Sequence, residues 1–137
     1  MGPAHADLRR DGRLGGEQLA VAAEGVSGRV LVVGKSLGTM GSALAAEREY
    51  EGIWLTPLLT RPWLVDAIRA NPARQLLVGG TEDELWDRDV AASLASSGCD
   101  VLQVDGADHA MLVDGDPVRS AEALVEVSRA MARFLAG

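Results

Sequence analysis

The sequence predicts an α/β fold, an open parallel sheet of about four strands with helices on both faces. Two observations carry this. Four short apolar runs recur, at 29–34 (RVLVVG), 52–55 (GIWL), 75–79 (QLLVG) and 100–104 (DVLQV). Their centres lie roughly 23 to 25 residues apart, with helical spacing between them, which is the rhythm of repeated strand–helix units. The second observation is that apolar residues fall on consecutive positions in these runs. That pattern suits strands covered on both faces, and it is clearest at 29–34.

The elements follow in order. Residues 1–13 are rich in Arg, Asp and Gly without apolar periodicity, and read as a disordered leader or a remnant. A single domain is expected over 14–137, opening with a short helix at 14–24 that Gly25 can stop. After the first strand, Leu37, Met40 and Leu44 fall on one helical face. Thr60 is placed to cap the next helix, with Pro62 in its first turn. Pro72 ends that helix, because its ring disfavours helical geometry at Asn71. Val90 and Leu94 mark a third helix near 87–97. Asp116 and Pro117 open the last one as N-cap and first-turn proline. Its expected core face is Ala121, Leu124, Val125, Ser128, Met131 and Leu135.

Composition narrows the function. The 137 residues are 47% hydrophobic and 24% charged, within the range of one globular domain. The longest strongly apolar run, Val30 to Val33, is far shorter than the ~18 residues of a membrane helix. Thirteen basic against twenty acidic residues leave a net charge of −7, and no basic patch offsets it. Nucleic acid and membrane partners are therefore not expected. The single cysteine, Cys99, excludes an intrachain disulfide and a cysteine-based zinc cluster. Without a secretory leader pattern, the expected location is cytoplasmic.

Three segments carry chemistry, each just after a predicted strand. The first is Gly34-Lys35-Ser36-Leu37-Gly38, a G-x-S-x-G between a strand and a helix. In that context the serine sits on a tight, strained turn, and the two glycines leave room for the helix to pass close by. The Leu37 amide, at the helix start, then points at a substrate oxygen. A chain this rich in glycine shows the pattern by chance on the order of one time in ten, so its position matters more than its letters. The plainer alternative is a βα turn with Ser36 as helix N-cap. A phosphate-binding loop is disfavoured by Arg29 at the required first glycine, and by a strand where the flexible cradle belongs. Lys35 reads as solvated.

The second segment is Gly79-Gly80-Thr81-Glu82-Asp83, which places a carboxylate at the ligand-binding edge of the sheet. An acidic, solvated helix start is the competing reading. The third is Gly106-Ala107-Asp108-His109. His109 is one of two histidines, the other being His5 in the leader, and it is a proton acceptor suited to neutral pH. Trp63 and Trp86 follow strands and either line a pocket or pack in the core; with Trp54, their usual burial favours the core.

The order Ser36, Asp83, His109 is the chain order of the α/β-hydrolase triad. The sequence resembles that superfamily, in particular small bacterial members with a G-K-S-L-G elbow. VLVVGKSLGT, LLVGGTEDELWD and VDGADHAML look like its nucleophile, acid and histidine regions, and the resemblance covers about residues 17–136. It implies a serine hydrolase acting on an ester or related acyl substrate, a small molecule. Ser36 would be nucleophile, His109 base, Asp83 acid and the Leu37 amide an oxyanion donor, with Gly34 and Gly38 framing the elbow. No cofactor and no metal are implied.

The sequence departs from the family at its start. Members carry earlier strands, one leading into a loop that donates a second oxyanion amide, and nothing in 1–28 reads as such a strand. The chain thus looks like the C-terminal portion of an α/β-hydrolase, a fragment or a late-starting gene. Two expectations follow: self-association through the free edge of strand 29–34, and slow turnover unless the earlier elements are supplied or dispensable. The alternative is a catalytically impaired remnant serving as a binding or assembly module.

Overall fold

The computed structural model describes residues 28–137. The leader at 1–13 and the helix expected at 14–24 lie outside the described residues. The elements are β1 (Leu31–Lys35), a 3-10 turn (Ser36–Gly41), α1 (Ser42–Glu47), β2 (Glu51–Leu55), α2 (Pro62–Ala70), β3 (Gln75–Gly80), α3 (Arg88–Ser96), β4 (Asp100–Val104) and α4 (Pro117–Ala136). The sheet runs β1-β2-β3-β4 in sequence order and every pair is parallel. The expected architecture is therefore present, with strand boundaries shifted by a residue or two.

Two apolar layers hold the sheet. On one face Val32, Trp54 and Leu77 pack with Met40, Ala45, Leu64, Ile68 and Leu94, which come from the turn and α1–α3. On the other, Ile53, Leu76, Val78 and Val104 pack against Ala123, Val127, Ala130 and Phe134 of α4 and against Ala107 and Met111 of the loop after β4. Each fully buried Leu or Ile contributes about 1.5–3 kcal/mol. Trp54 is fully buried and its indole N–H donates to Gln75 Oε1 at 3.0 Å; Trp86, also buried, donates to Gln103 Oε1 at 2.9 Å. Both tryptophans are core residues.

The helix ends are largely as expected. Asp116 caps α4 by accepting from the Arg119 amide, and Asp87 caps α3 by accepting from Asp89 and Val90. Asn71 is extended and ends α2; its side chain donates to Tyr50 O and accepts from Ala73 N. Thr60 does not cap α2. The N-cap is Arg61, with no side-chain capping bond, and Pro62 sits at the first helical position, where a missing N–H costs nothing.

Three other expectations are corrected. The helix after β1 begins as a 3-10 turn, which rotates Leu37 out of the core: it is 58% exposed while Met40 and Leu44 are buried. The core face of α4 is Ala123, Val127, Ala130 and Phe134, whereas Leu124, Val125 and Leu135 are exposed. Small side chains let the helix lie close to the sheet, so the more apolar stripe was the misleading one. Finally, β1 is not fully covered on its second face, where Leu31 is half-buried but Val33 is 53% exposed.

These last two findings are connected. Arg133 lines the same cleft as Asp100 and Leu102, and Arg119 Nη2 donates to Asp105 O just past β4. That flank of α4 lies toward β4. The opposite flank, with Leu124, Met131 and Leu135, faces the β1 side by helical spacing. Among the described residues α4 is the one helix on this face, and Val33 is left exposed.

An ion cluster ties the start of β1 to the rest. Arg29 donates to both carboxylate oxygens of Glu51, at 2.8 and 2.9 Å, and Arg74 approaches the same carboxylate at 3.6 Å. Arg74 also stacks 4.3 Å from the Phe134 ring centroid and donates to Phe134 O. The Arg29 hydrogen bond holds the Glu51 carboxyl below its ordinary range.

Candidate active site

All three chemically marked residues lie just beyond strand C-termini, at one end of the sheet. Ser36 follows β1 with φ +52°, in the left-handed region where a non-glycine residue is strained. Gly34 makes that turn possible. A Cβ there would lie 2.5 Å from the Gly38 carbonyl oxygen, so the backbone doubles back too closely for a side chain. Gly38 differs from the expectation, because a Cβ on it would meet nothing within 4 Å. Only the first glycine of the pattern is required by contact. Leu37 is the second residue of the 3-10 turn, and at that position its amide has no carbonyl of the turn to bond.

Asp83 and His109 are brought together because the loops after β3 and β4 are laced to each other. Glu82 N donates to Ala107 O at 2.9 Å, Gly106 N to Thr81 Oγ1 at 2.8 Å, and Thr81 N to Val104 O at 3.1 Å. Gly80 permits this, since a Cβ on it would collide with the Ala107 carbonyl. The His109 loop is closed by the Ala107–Val113 bridge. Within it, Asp108 Oδ1 accepts from the Ala110 and Leu112 amides, and Asp108 N donates to Leu112 O.

The resulting geometry is compact. Ser36 Oγ lies 2.8 Å from His109 Nε2, and His109 Nδ1 lies 2.7 Å from Asp83 Oδ2. The Asp83 side chain is 1% exposed, and its other oxygen accepts from Leu85 N at 2.9 Å. With Asp83 as an ionised carboxylate, which only accepts, this geometry suits an imidazole proton on Nδ1. Nε2 then offers its lone pair to the Ser36 hydroxyl. The Ser36 N-cap alternative fails, because the turn's N-cap is Lys35 and makes no side-chain capping bond.

The site opens into a cleft of about 680 Å³, which Lys35, Ser36, Leu85, His109 and Ala110 help to line. Glu82, Glu84 and Asp108 make its rim acidic. Trp63 and Trp86 do not line it. The sequence reading missed Thr39, whose buried hydroxyl donates to the Ser36 carbonyl at 2.6 Å. A small polar residue three positions after a strained serine was the available signal.

No family model and no curated protein matches the chain. Solved structures do match by fold. One is a predicted CIB-like hydrolase from Thermoplasma acidophilum, 20% identical, TM-score 0.63, matched over 89% of this chain and 60% of that one. Another is Est1E from Butyrivibrio proteoclasticus, 14% identical, TM-score 0.64, over 87% and 67%. A third is the esterase domain of a Rhodothermus marinus protein, 22% identical, TM-score 0.54, over 89% and 66%. The chain shares the fold of these hydrolases, and it spans about 60–67% of the length of these three structures.

Proposed function

We propose that this chain is a serine hydrolase acting on an ester or related acyl substrate. The observation that carries the reading is the unbroken relay from Ser36 Oγ through His109 to the buried Asp83, at 2.8 and 2.7 Å, with the serine on a strained turn. Ser36 Oγ attacks the acyl carbon while its proton passes to His109 Nε2. The carbonyl oxygen becomes an oxyanion, and the Leu37 amide donates to it. The leaving group departs with the proton from His109. Water, deprotonated by the same nitrogen, then releases the acid and restores Ser36. Asp83 keeps the imidazole in the required tautomer and stabilises its charged form. The acidic rim favours neutral over anionic acyl groups.

The test is hydrolysis of an activated short-chain ester by the purified chain, with Ser36→Ala as control. Turnover that disappears in the variant supports the reading, and equal turnover in both contradicts it. A cytoplasmic setting goes with this reading; cell fractionation tests it.

One observation favours a second reading, a remnant that binds or assembles. Among the described residues no strand pairs with the outer edge of β1, and Val33 beside it is 53% exposed. An edge of this kind is a template for a second copy of the chain. A folded protein without ester turnover that self-associates would favour this reading over the first.

A further inference from the structure

We infer that Thr39 is a positioning residue for the nucleophile, its buried hydroxyl closing a ring of hydrogen bonds that ties the Ser36 backbone to the far side of the triad. The inference rests on Ser36 being the nucleophile.

The ring can be followed bond by bond. Thr39 Oγ1 donates to the Ser36 carbonyl at 2.6 Å and accepts from the Leu58 amide at 3.4 Å. The next amide, Leu59 N, donates to Leu85 O at 3.0 Å. Leu85 N donates to Asp83 Oδ1 at 2.9 Å. Asp83 Oδ2 receives His109 Nδ1, and His109 Nε2 meets Ser36 Oγ. The path thus leaves Ser36 by its backbone and returns to its hydroxyl.

Three features set this apart from the routine bond of a helical threonine to a preceding carbonyl. Thr39 is fully buried, so no water can replace its hydroxyl. Its hydroxyl has two partners, on two different segments. The second segment is itself held in a sharp bend. Thr56, fully buried at φ +45°, makes the last bond of the sheet ladder, to Val78 O at 2.8 Å, before the chain turns into Pro57 and Leu58. A β-branched residue in that conformation persists only where its surroundings impose it. The bend delivers the Leu58 amide to Thr39 and the Leu59 amide to Leu85.

The consequence is mechanical. Ser36 is strained, and its carbonyl is the handle by which the turn can rotate. Without the Thr39 hydroxyl the turn can relax, moving Oγ relative to His109 Nε2. A displacement of the order of 1 Å at a reacting atom is enough to cost up to a hundredfold in rate. Thr39 touches neither substrate nor reacting atoms, so substrate binding is spared.

Thr39→Val keeps the shape and removes the hydroxyl, while Thr39→Ser keeps the hydroxyl. The readouts are the rate of Ser36 acylation by a fluorophosphonate probe and, on an activated ester, kcat and KM separately. The expected result for Thr39→Val is a fall of about five- to fiftyfold in labelling rate and kcat, with KM within twofold. Thr39→Ser should restore both to within about threefold. Amide exchange at 36–41 should quicken in Thr39→Val only. Wild-type rates in a folded Thr39→Val protein overturn the inference alone, provided Ser36→Ala abolishes labelling. If Ser36→Ala still labels equally, the nucleophile reading falls and takes this inference with it. A Thr39→Val protein too unstable to assay, joined by a folded Thr39→Ser protein that stays slow, also overturns it.

Discussion

Replacing Asp83 with asparagine tests the relay at its most constrained point. The carboxylate uses both oxygens: Oδ1 accepts from the Leu85 amide and Oδ2 faces His109 Nδ1. Asparagine has one acceptor and one donor, so it can satisfy only one of these partners in its original sense. If its oxygen stays on Leu85 N, its NH2 group faces the imidazole, and Nδ1 must become the acceptor. The proton then sits on Nε2, pointing at Ser36, and the base is lost. Loss of the right tautomer in triads of this kind costs about 10⁴ in turnover, or ~5.4 kcal/mol. If the amide flips, the tautomer is preserved but two N–H donors face each other at Leu85. A buried unsatisfied donor costs about 1–3 kcal/mol, roughly five- to hundredfold if the whole cost falls on the active geometry. Ester turnover should therefore drop by about five- to hundredfold if the amide flips, and by up to about 10⁴ if it does not. Esterase rates and probe labelling should fall together. Circular dichroism should stay native, since either arrangement keeps the side-chain volume. A folded Asp83→Asn protein within threefold of wild type would refute the reasoning.

Other outcomes follow from the same geometry. Gly34→Ala should cost about 1–3 kcal/mol by thermal unfolding, and most of the activity, whereas Gly38→Ala should be close to neutral in stability, since its Cβ meets only open space; the reverse order would contradict the account of the turn. Glu51 has its carboxyl held low by Arg29, so its contribution to stability is complete above the ordinary carboxylate range and is lost as pH falls through its lowered value. Glu51→Gln should therefore lower the unfolding temperature at neutral pH and flatten its acid dependence; an unchanged acid limb would show that the pair contributes nothing. Light scattering at micromolar concentrations should show association that weakens when Val33 is replaced by lysine, and a clean wild-type monomer would sink the second-copy proposal.

Much of this architecture was legible in the sequence, for physical reasons. Parallel strands in a covered sheet leave dense apolar runs, and prolines with their preceding Asn71 or Asp116 punctuate helices by steric rules that tertiary packing rarely overrides. The proximity of Ser36, Asp83 and His109 could be anticipated because the C-terminal ends of parallel strands all lie at one edge of the sheet. What failed depended on choices made at longer range. The face of α4 could not be read from apolarity, because the sheet selected the small residues Ala123 and Ala130 for close approach and left Leu124 and Leu135 outside. Val33 looked buried because its neighbours are, yet exposure at an edge strand is set by what lies beside it. The capping role given to Thr60 fell to Arg61, where Pro62 had already fixed the entry to the helix. Thr39 offered only its spacing from Ser36; its second partner is the Leu58 amide, nineteen positions away.

The central claim is that Ser36 is an activated nucleophile, and the most direct measurement is to treat the intact chain with a fluorophosphonate probe and locate the adduct by peptide mass spectrometry. The account predicts a single adduct on Ser36, lost in Ser36→Ala and strongly slowed in variants of His109. An adduct on another serine, or none on a demonstrably folded sample, would contradict it.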